Sequence, residues 1–478
     1  MIFPLLFFLA APKSTTDLDS SLKRFTEVLA TVQSQAADPV NTETAVYQGA
    51  IPGMLKRLDP HSIFFDPQQY EQLKEMEHSE RKGFGTVVSI LPGRVIVLQA
   101  MEGTPSAKAG LQPGDEIVAV NNVALARLEF EQIIGFLSEA RQHQAQLIVR
   151  RPTNARLLPF VLDPALVDSP SVDRSFLLQA DIGYVRVNSF DPQTGKQLKD
   201  AIESLGGAKL KGLVLDLRDN GGGVVQAAMQ AASYFLKPGQ RLLSVKGRSI
   251  KSQDADAPPD AGIYQFPLAV LVNAKTASAS EILAGALQDH DRATILGETS
   301  FGKGLVQNVF PLSGTTAMAL TTAFYYTPSG RSIQKPLPSG QLELEKQKEE
   351  FKTDSGRMVT GGGGIRPDVT VEPEPVTRLR MALDASGTFT SFATSYIEKN
   401  KIDASFDVSA SLLEDFQVFA AAERGIQPSV GEWARERAWV QSRLKQEIFN
   451  QALGVAKGDE VEEARDPVVR AAVGKILP

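Results

Sequence analysis

The sequence predicts a multidomain α/β protein, and three patterns carry that expectation. Over residues 163–376 apolar strand-like runs (182–187, 212–217, 268–273) alternate with segments of helical periodicity (194–204, 224–236, 280–288), the signature of a layered α/β core. Residues 83–162 change character. Their short alternating segments are punctuated by Gly103, Pro105, Gly110, Pro113, Gly114, Asn121 and Asn122, which marks a compact β-rich module. Helical patterns fill 17–82 and 377–478. A chain of 478 residues exceeds what one hydrophobic core supports, so several modules are expected.

Composition narrows the function. Hydrophobic residues make up 42% and charged residues 22%, as in an ordinary globular protein. A net charge of -6 without a concentrated basic cluster argues against nucleic acid as a partner. The absence of cysteine removes thiol nucleophiles, disulfides and zinc–thiolate sites. The four histidines, His61, His78, His143 and His290, lack the HExxH spacing, so neither a metal nor any other cofactor is expected. An apolar run at 2–11 is far shorter than the roughly 20 residues of a membrane helix. Residues 1–16 read as an export signal, although no Lys or Arg precedes the run and Pro12 follows Ala11. The alternative is a frayed apolar terminus. The expected location is the bacterial periplasm or cell envelope, with at most peripheral membrane contact.

Within 17–82, Leu22, Phe25, Val28, Leu29 and Val32 fall at helical spacing, 58–62 reads as a turn, and a second helix is expected over 67–80. Residues 251–262 and 337–364 read as surface loops. Beyond Thr377, Ser429 and Glu432 form a capping box ahead of a helix to about 453. Its stripe of Trp433, Trp439, Val440 and Leu444 is a candidate surface for homo-oligomer assembly or partner docking. Packing on the core is the equal alternative.

The chemistry sits in three stretches of the core. A strand ending at Asn273 and a helix starting near Ser280 place Ser278 on a strand-to-helix turn, where a hydroxyl is exposed beside a helix N-terminus. A serine needs a base. Lys303, flanked by Phe301, Leu305 and Val306, can serve once apolar surroundings lower its pKa from roughly 10.4 toward 7–8. Gln307 is neutral and can accept from the amine without raising that pKa. Gly221, Gly222 and Gly223 follow a strand and offer free N–H groups; Gly222 and Ala279 are the candidate oxyanion pair. Glu281 reads as a cap of the serine helix.

In the β-rich module, Gly83–Phe84–Gly85–Thr86, the run from Gly103 to Ile117 and Val120–Asn121–Asn122 resemble a PDZ domain. That resemblance implies capture of a carboxyl-terminal tail by β-augmentation, with Gly83, Phe84, Gly85 and Thr86 at the carboxylate and Phe84 walling an apolar pocket. The alternative makes the glycines a turn and Phe84 core. The core stretches, Asn273 to Ile282, Gly297 to Gln307 and Asp216 to Gly223, resemble the carboxyl-terminal processing peptidases (tail-specific proteases). The likeness extends over about residues 20–375. It implies a crotonase-like or ClpP-like α/β peptidase core with an inserted PDZ domain, Ser278 as nucleophile, Lys303 as general base and Gln307 orienting the lysine. Thr276 stands where the family usually has serine, and Gly221 where many members have proline.

Three rivals remain open at this level. A Ser–His–Asp triad would use His290, beside Asp289 and Asp291, or His61 near Asp59. A catalytically silent PDZ-containing tail-binding or scaffold protein would keep the core without the reaction. A crotonase-like acyl-CoA enzyme would share the layered core and paired amides. The leading expectation is a serine endopeptidase acting on proteins or peptides with apolar C-terminal tails.

Overall fold

The computed structural model describes residues 15–477 except 78–79, 92, 152–155, 180, 249–251, 313, 338–349 and 373. The apolar run at 2–11 lies outside the described residues. By contact the chain divides into two compact units, one of Met1–Glu71, Gln307–Thr321 and Leu337–Glu343, the other of Gln72–Val306, Thr322–Pro336 and Leu344–Pro478.

In the first unit, the expected N-terminal helix runs over Thr15–Gln35. A π-helical stretch, Thr44–Ala50, leads into the helix Ile51–Lys56. The turn at 58–62 closes through Asp59, whose carboxylate accepts the N–H groups of His61 and Ser62 and the Ser62 hydroxyl. The strand Ile63–Phe65 then pairs antiparallel, with Ile63 opposite Ala319.

The second unit is organised by a six-stranded sheet. Ile182–Val187, Gly212–Asp216, Leu268–Val272, Thr294–Gly297 and Val369–Thr370 run parallel in that order, and Val172–Gln179 adds an antiparallel edge. Parallel strands are covered on both faces, and alternate residues divide accordingly. Leu213, Leu215, Val270 and Val272 face the helices Thr194–Ser204, Val225–Ser233 and Ala279–Asp289. Val214, Ala269 and Leu271 face the last helix, Pro467–Ile476, through Val468, Val469, Ala472, Val473 and Ile476. Gly212 is matched to that helix: a Cβ there would lie 2.1 Å from Ile476.

The β-rich module contains the antiparallel strands Thr86–Leu91, Arg94–Ala100, Glu116–Val120, Ala145–Arg150 and Leu157–Leu162, with the helix Phe130–Ala140. Its own core holds Val95, Val97, Ile117, Val120, Ile133, Leu147 and Val149. Where the chain enters and leaves, Glu80–Gly83 pairs with Ala165–Asp168, Gly83 opposite Ala165, and forms a two-stranded neck. The expected helix over 67–80 therefore ends earlier, as Pro67–Glu77, because Glu80 belongs to the neck.

Two stretches read as loops contain strands. Gln253–Asp256 pairs with Arg241–Lys246, and Glu350–Lys352 with Met358–Thr360. Their polar composition hid the pairing, since edge strands need no apolar pattern. The helix Val430–Ala452 has the capping box predicted from Ser429 and Glu432. Its Trp433, Val440 and Leu444 pack into a separate helical core with Leu383, Phe389, Phe392, Leu412 and Phe416.

Candidate active site

Ser278 is held in a backbone conformation that L-residues seldom adopt. Its φ is 57° and ψ −117°, outside the favoured regions and worth roughly 1–3 kcal/mol of strain. The strand Leu268–Val272 is completely buried and so is the helix Ala279–Asp289. The residues between must reverse direction inside that constraint. Thr276 fixes the turn, accepting from Asn273 N at 2.9 Å and donating to Leu217 O at 2.8 Å. A serine would offer the same hydroxyl, which accounts for the threonine there. Gly221 likewise has no neighbour within 4 Å of an added Cβ, so the position accepts either glycine or a larger residue.

What pays the strain at Ser278 is a pair of buried side chains that also hold Lys303. Glu281 Oε2 accepts from Ser278 N at 2.8 Å and from Lys303 N at 2.9 Å. Its Oε1 accepts from Gly302 N at 2.7 Å and from the Ser300 hydroxyl. Tyr325 works on the carbonyl side: its hydroxyl lies 3.0 Å from Ser278 O and 2.5 Å from Lys303 O. The backbones of Ser278 and Lys303 are thus joined through one carboxylate and one phenol. Burial pushes the Glu281 carboxyl up, opposed by the Ser300 hydroxyl and the three amides. Burial and Glu281 push the Tyr325 hydroxyl well up, so it remains a donor. The capping role expected of Glu281 holds, and extends to the lysine segment 22 residues on. Tyr325 carried no sequence signal.

The neighbours of Lys303 are fixed as well. Gly304 N donates to Gln334 Oε1 at 2.9 Å, and Gly302 O accepts from Lys335 N at 3.0 Å. Gly302 has φ 88° and lies against the Lys335 side chain. The expected apolar flank is only partly realised. Leu305 is buried and Val306 packs on the main core, but Phe301 is 46% exposed. Gln307, on the strand Leu305–Pro311, belongs to the first unit, where its side-chain amide donates to the His61 carbonyl.

The glycine loop meets the serine turn directly. A Cβ on Gly222 would fall 2.8 Å from both Ala277 O and Ser278 Cβ and 2.9 Å from Ala279 N. Asn220 organises the approach: its carbonyl accepts from Ala277 N and the Ser280 hydroxyl, and its side chain donates to Val187 O. Gly222 N–H, expected to be free, is donated to Asn220 Oδ1 at 2.8 Å. Ala279 N–H has no acceptor among the described residues.

His290 forms no triad with Ser278 among the described residues. His290 caps the far end of the serine helix, its ring nitrogens 2.7 Å from Asp354 Oδ2 and 2.7 Å from Arg241 O. Asp289 is committed to the buried Arg331, and Asp59 to its own turn.

In the β-rich module, Gly85 has φ 71° and an added Cβ would strike Thr104 at 2.3 Å. Gly85 O accepts from Met101 N and the Ser106 hydroxyl. Glycine is required there by the module's own packing. A Cβ added at Gly83 meets no described atom within 4 Å. Phe84 packs against the module's core. Among the described residues, Thr86 opens a strand paired only with Arg94–Ala100, which leaves one edge open beside the helix Phe130–Ala140.

A strained serine at a strand-to-helix turn, tied through its backbone to a lysine segment and set against a glycine loop, brings together the residue types that a serine-type hydrolase needs. Comparison with known proteins agrees in class. Residues 181–343 match peptidase family S41, and residues 96–151 match the PDZ domain. The chain is 35% identical over 320 residues to the carboxy-terminal-processing protease of Bartonella bacilliformis, covering 66% of this chain and 72% of that protein. It is 35% identical over 293 residues to the carboxyl-terminal-processing protease of Synechocystis, covering 60% and 68%. A solved photosystem II D1 C-terminal processing protease aligns at 27% identity and a TM-score of 0.41, over 76% of this chain and 94% of that one. The chain belongs to the carboxy-terminal processing protease family and is a serine-type peptidase.

Proposed function

We propose that the protein is an endopeptidase that uses Ser278 as nucleophile and neutral Lys303 as general base, with Gln307 orienting the lysine amine. The observation that carries this reading is the shared clamp of Glu281 and Tyr325 on the backbones of Ser278 and Lys303. Lys303 takes the Ser278 proton as Oγ attacks the scissile carbonyl, then delivers it to the leaving amine. Water, deprotonated the same way, hydrolyses the acyl-enzyme. Ala279 N–H supplies one oxyanion donor. Gly222 N–H supplies the second by exchanging Asn220 Oδ1 for the developing oxyanion, which keeps that amide satisfied until substrate is in place.

Substrate selection falls to the module at 83–162. An apolar C-terminal tail would add antiparallel to the open edge of Thr86–Leu91, its carboxylate at the 83–86 turn. The exposed Phe130 and Ile134 of the facing helix offer apolar contact to its side chains. In this reading Gly85 shapes the turn and Phe84 supports it from the core. The module also contacts the helical region: Arg94 donates to Ser391, and Val455 N to Gln99. Those contacts support a reading in which tail binding acts on the helical region as well as tethering substrate. The apolar run at 2–11 supports export to the bacterial periplasm or envelope.

The test is labelling by a fluorophosphonate followed by peptide mapping. Modification of Ser278, lost in Lys303→Ala, supports the assignment. Labelling elsewhere, or undiminished labelling in Lys303→Ala, refutes it.

A further inference from the structure

Arg218 links the glycine loop to the end of the chain. It lies between the strand Gly212–Asp216 and the loop at 219–223. Its backbone N–H and Nε bond the Asp216 carboxylate at 2.8 and 2.9 Å, and Nη2 reaches the same carboxylate at 2.6 Å. Its remaining capacity goes to the C-terminal helices, with Nη1 to Asp466 Oδ2 at 2.7 Å and Nη2 to Glu463 Oε2 at 3.1 Å. Asp466 is itself fixed, because its other oxygen caps the helix Pro467–Ile476 through Val468 N and Val469 N. Beyond Arg218 the loop is pinned to the nucleophile turn, by Asp219 N to Asn273 Oδ1 and by Asn220 O to Ala277 N and the Ser280 hydroxyl. A displacement at Arg218 has no slack in which to dissipate before it reaches Gly222 and Ala279.

We propose that Glu463 and Asp466 are positioning residues for the peptidase reaction: by holding Arg218, they set the glycine loop at the distance from Ser278 that oxyanion stabilisation requires. This rests on the reading of Ser278 as nucleophile.

The composition of the cluster suits positioning better than simple adhesion. Removing charges from water is expensive, and apolar residues of the same volume would pack at least as stably. Here Asp216 is 1% and Glu463 4% exposed. Asp216 accepts from the buried Tyr184 hydroxyl as well, and Glu463 also binds Arg174, which reaches Asp459 and Glu462. Arg186, paired with Asp173, lies on the adjoining strands. Carboxylates outnumber guanidinium groups around Glu463. Burial, followed by the charge of Asp216, pushes Glu463 up to about 7 against the pull of Arg218 and Arg174. Burial likewise pushes Asp459 up to about 6. A protonated Glu463 is a weaker partner for Arg218, so the latch tightens as pH rises through neutrality.

The experiment compares full-length wild type with Glu463→Gln, Asp466→Asn and Glu436→Gln. The last breaks an ion pair with Arg380 in the same helical region that does not involve Arg218. Readouts are kcat and KM on a quenched peptide, affinity for a peptide boronate, rate of fluorophosphonate labelling of Ser278, and thermal midpoint. Glu463→Gln and Asp466→Asn should each lower kcat about tenfold, a fraction of the loss expected for removing a whole oxyanion donor. KM should change less than about twofold, and boronate affinity should fall in step with kcat. The rise of kcat near pH 7 should shrink in Glu463→Gln. Glu436→Gln should lower the midpoint and leave kcat alone. Lowered midpoints with unchanged kcat in the two latch variants, or equal kcat losses in all three, overturn the proposal. If Glu463→Gln fails to fold, Asp466→Asn, at a more exposed carboxylate, decides by the same criteria. Absence of label on wild-type Ser278 would instead overturn the nucleophile assignment.

Discussion

Glu281→Gln removes one oxygen from the carboxylate that joins the serine and lysine segments while preserving its shape. Each carboxylate oxygen serves two donors, Oε1 the Ser300 hydroxyl and Gly302 N, Oε2 Ser278 N and Lys303 N. Whichever way the amide turns, its NH₂ faces two donors. A buried donor left unsatisfied costs about 1–3 kcal/mol, so the pair costs about 2–6 kcal/mol. Glutamine recovers part of this because a neutral amide is cheaper to bury than a carboxylate. The remainder is relieved by tilting the Ser278 or Lys303 peptide. Tenfold in rate corresponds to about 1.4 kcal/mol, so kcat/KM should fall by about 10²–10³. The assay is hydrolysis of a quenched peptide, with guanidinium unfolding to verify that the variant is folded. Protonation of Glu281 has the same consequence, and its raised pKa places that loss on the acid side of the activity profile. A folded Glu281→Gln variant that kept more than about a third of wild-type kcat/KM would refute the clamp.

Ser278→Ala and Lys303→Ala should each abolish peptide hydrolysis to a similar residual level, because groups acting as one unit are not additive. Gly222→Ala should be inactive with an intact fold elsewhere, since its Cβ overlaps Ser278 and Ala279 and φ is 99°; normal activity would remove the loop from the oxyanion site. His290→Ala should retain peptide hydrolysis while lowering the unfolding midpoint, and a profile centred near pH 6.5 that this variant abolishes would restore a histidine base. Glu463 also predicts the pH dependence of stability. With its folded pKa raised to about 7, the folded chain keeps a proton that the unfolded chain has released above the ordinary carboxyl range. Stability should therefore fall as pH rises from about 4.5 to 7, and denaturant titrations of Glu463→Gln should lack that component.

Local rules were enough for much of this molecule. The alternation of apolar strands and periodic helices located the core elements to within a few residues, because a parallel strand buried on both faces must be apolar throughout. The motif order around Ser278, Lys303 and the glycines pointed to the peptidase family to which the chain belongs, and Glu281 was legible as the cap of the serine helix. What covers the second face of the sheet could not be read locally. The last helix does so, and Gly212 is shaped for Ile476, 264 positions away in sequence. The aromatic stripe of the Val430–Ala452 helix fitted docking or packing equally well, since periodicity reports that a face is buried and not against what; the structure buries it in a core of its own. The same limit applies to Tyr325, Asn220 and the Glu463–Arg218 pairing. Each is an ordinary residue until folding brings together donors and acceptors with no neighbouring alternative, and only the three-dimensional arrangement specifies those partners.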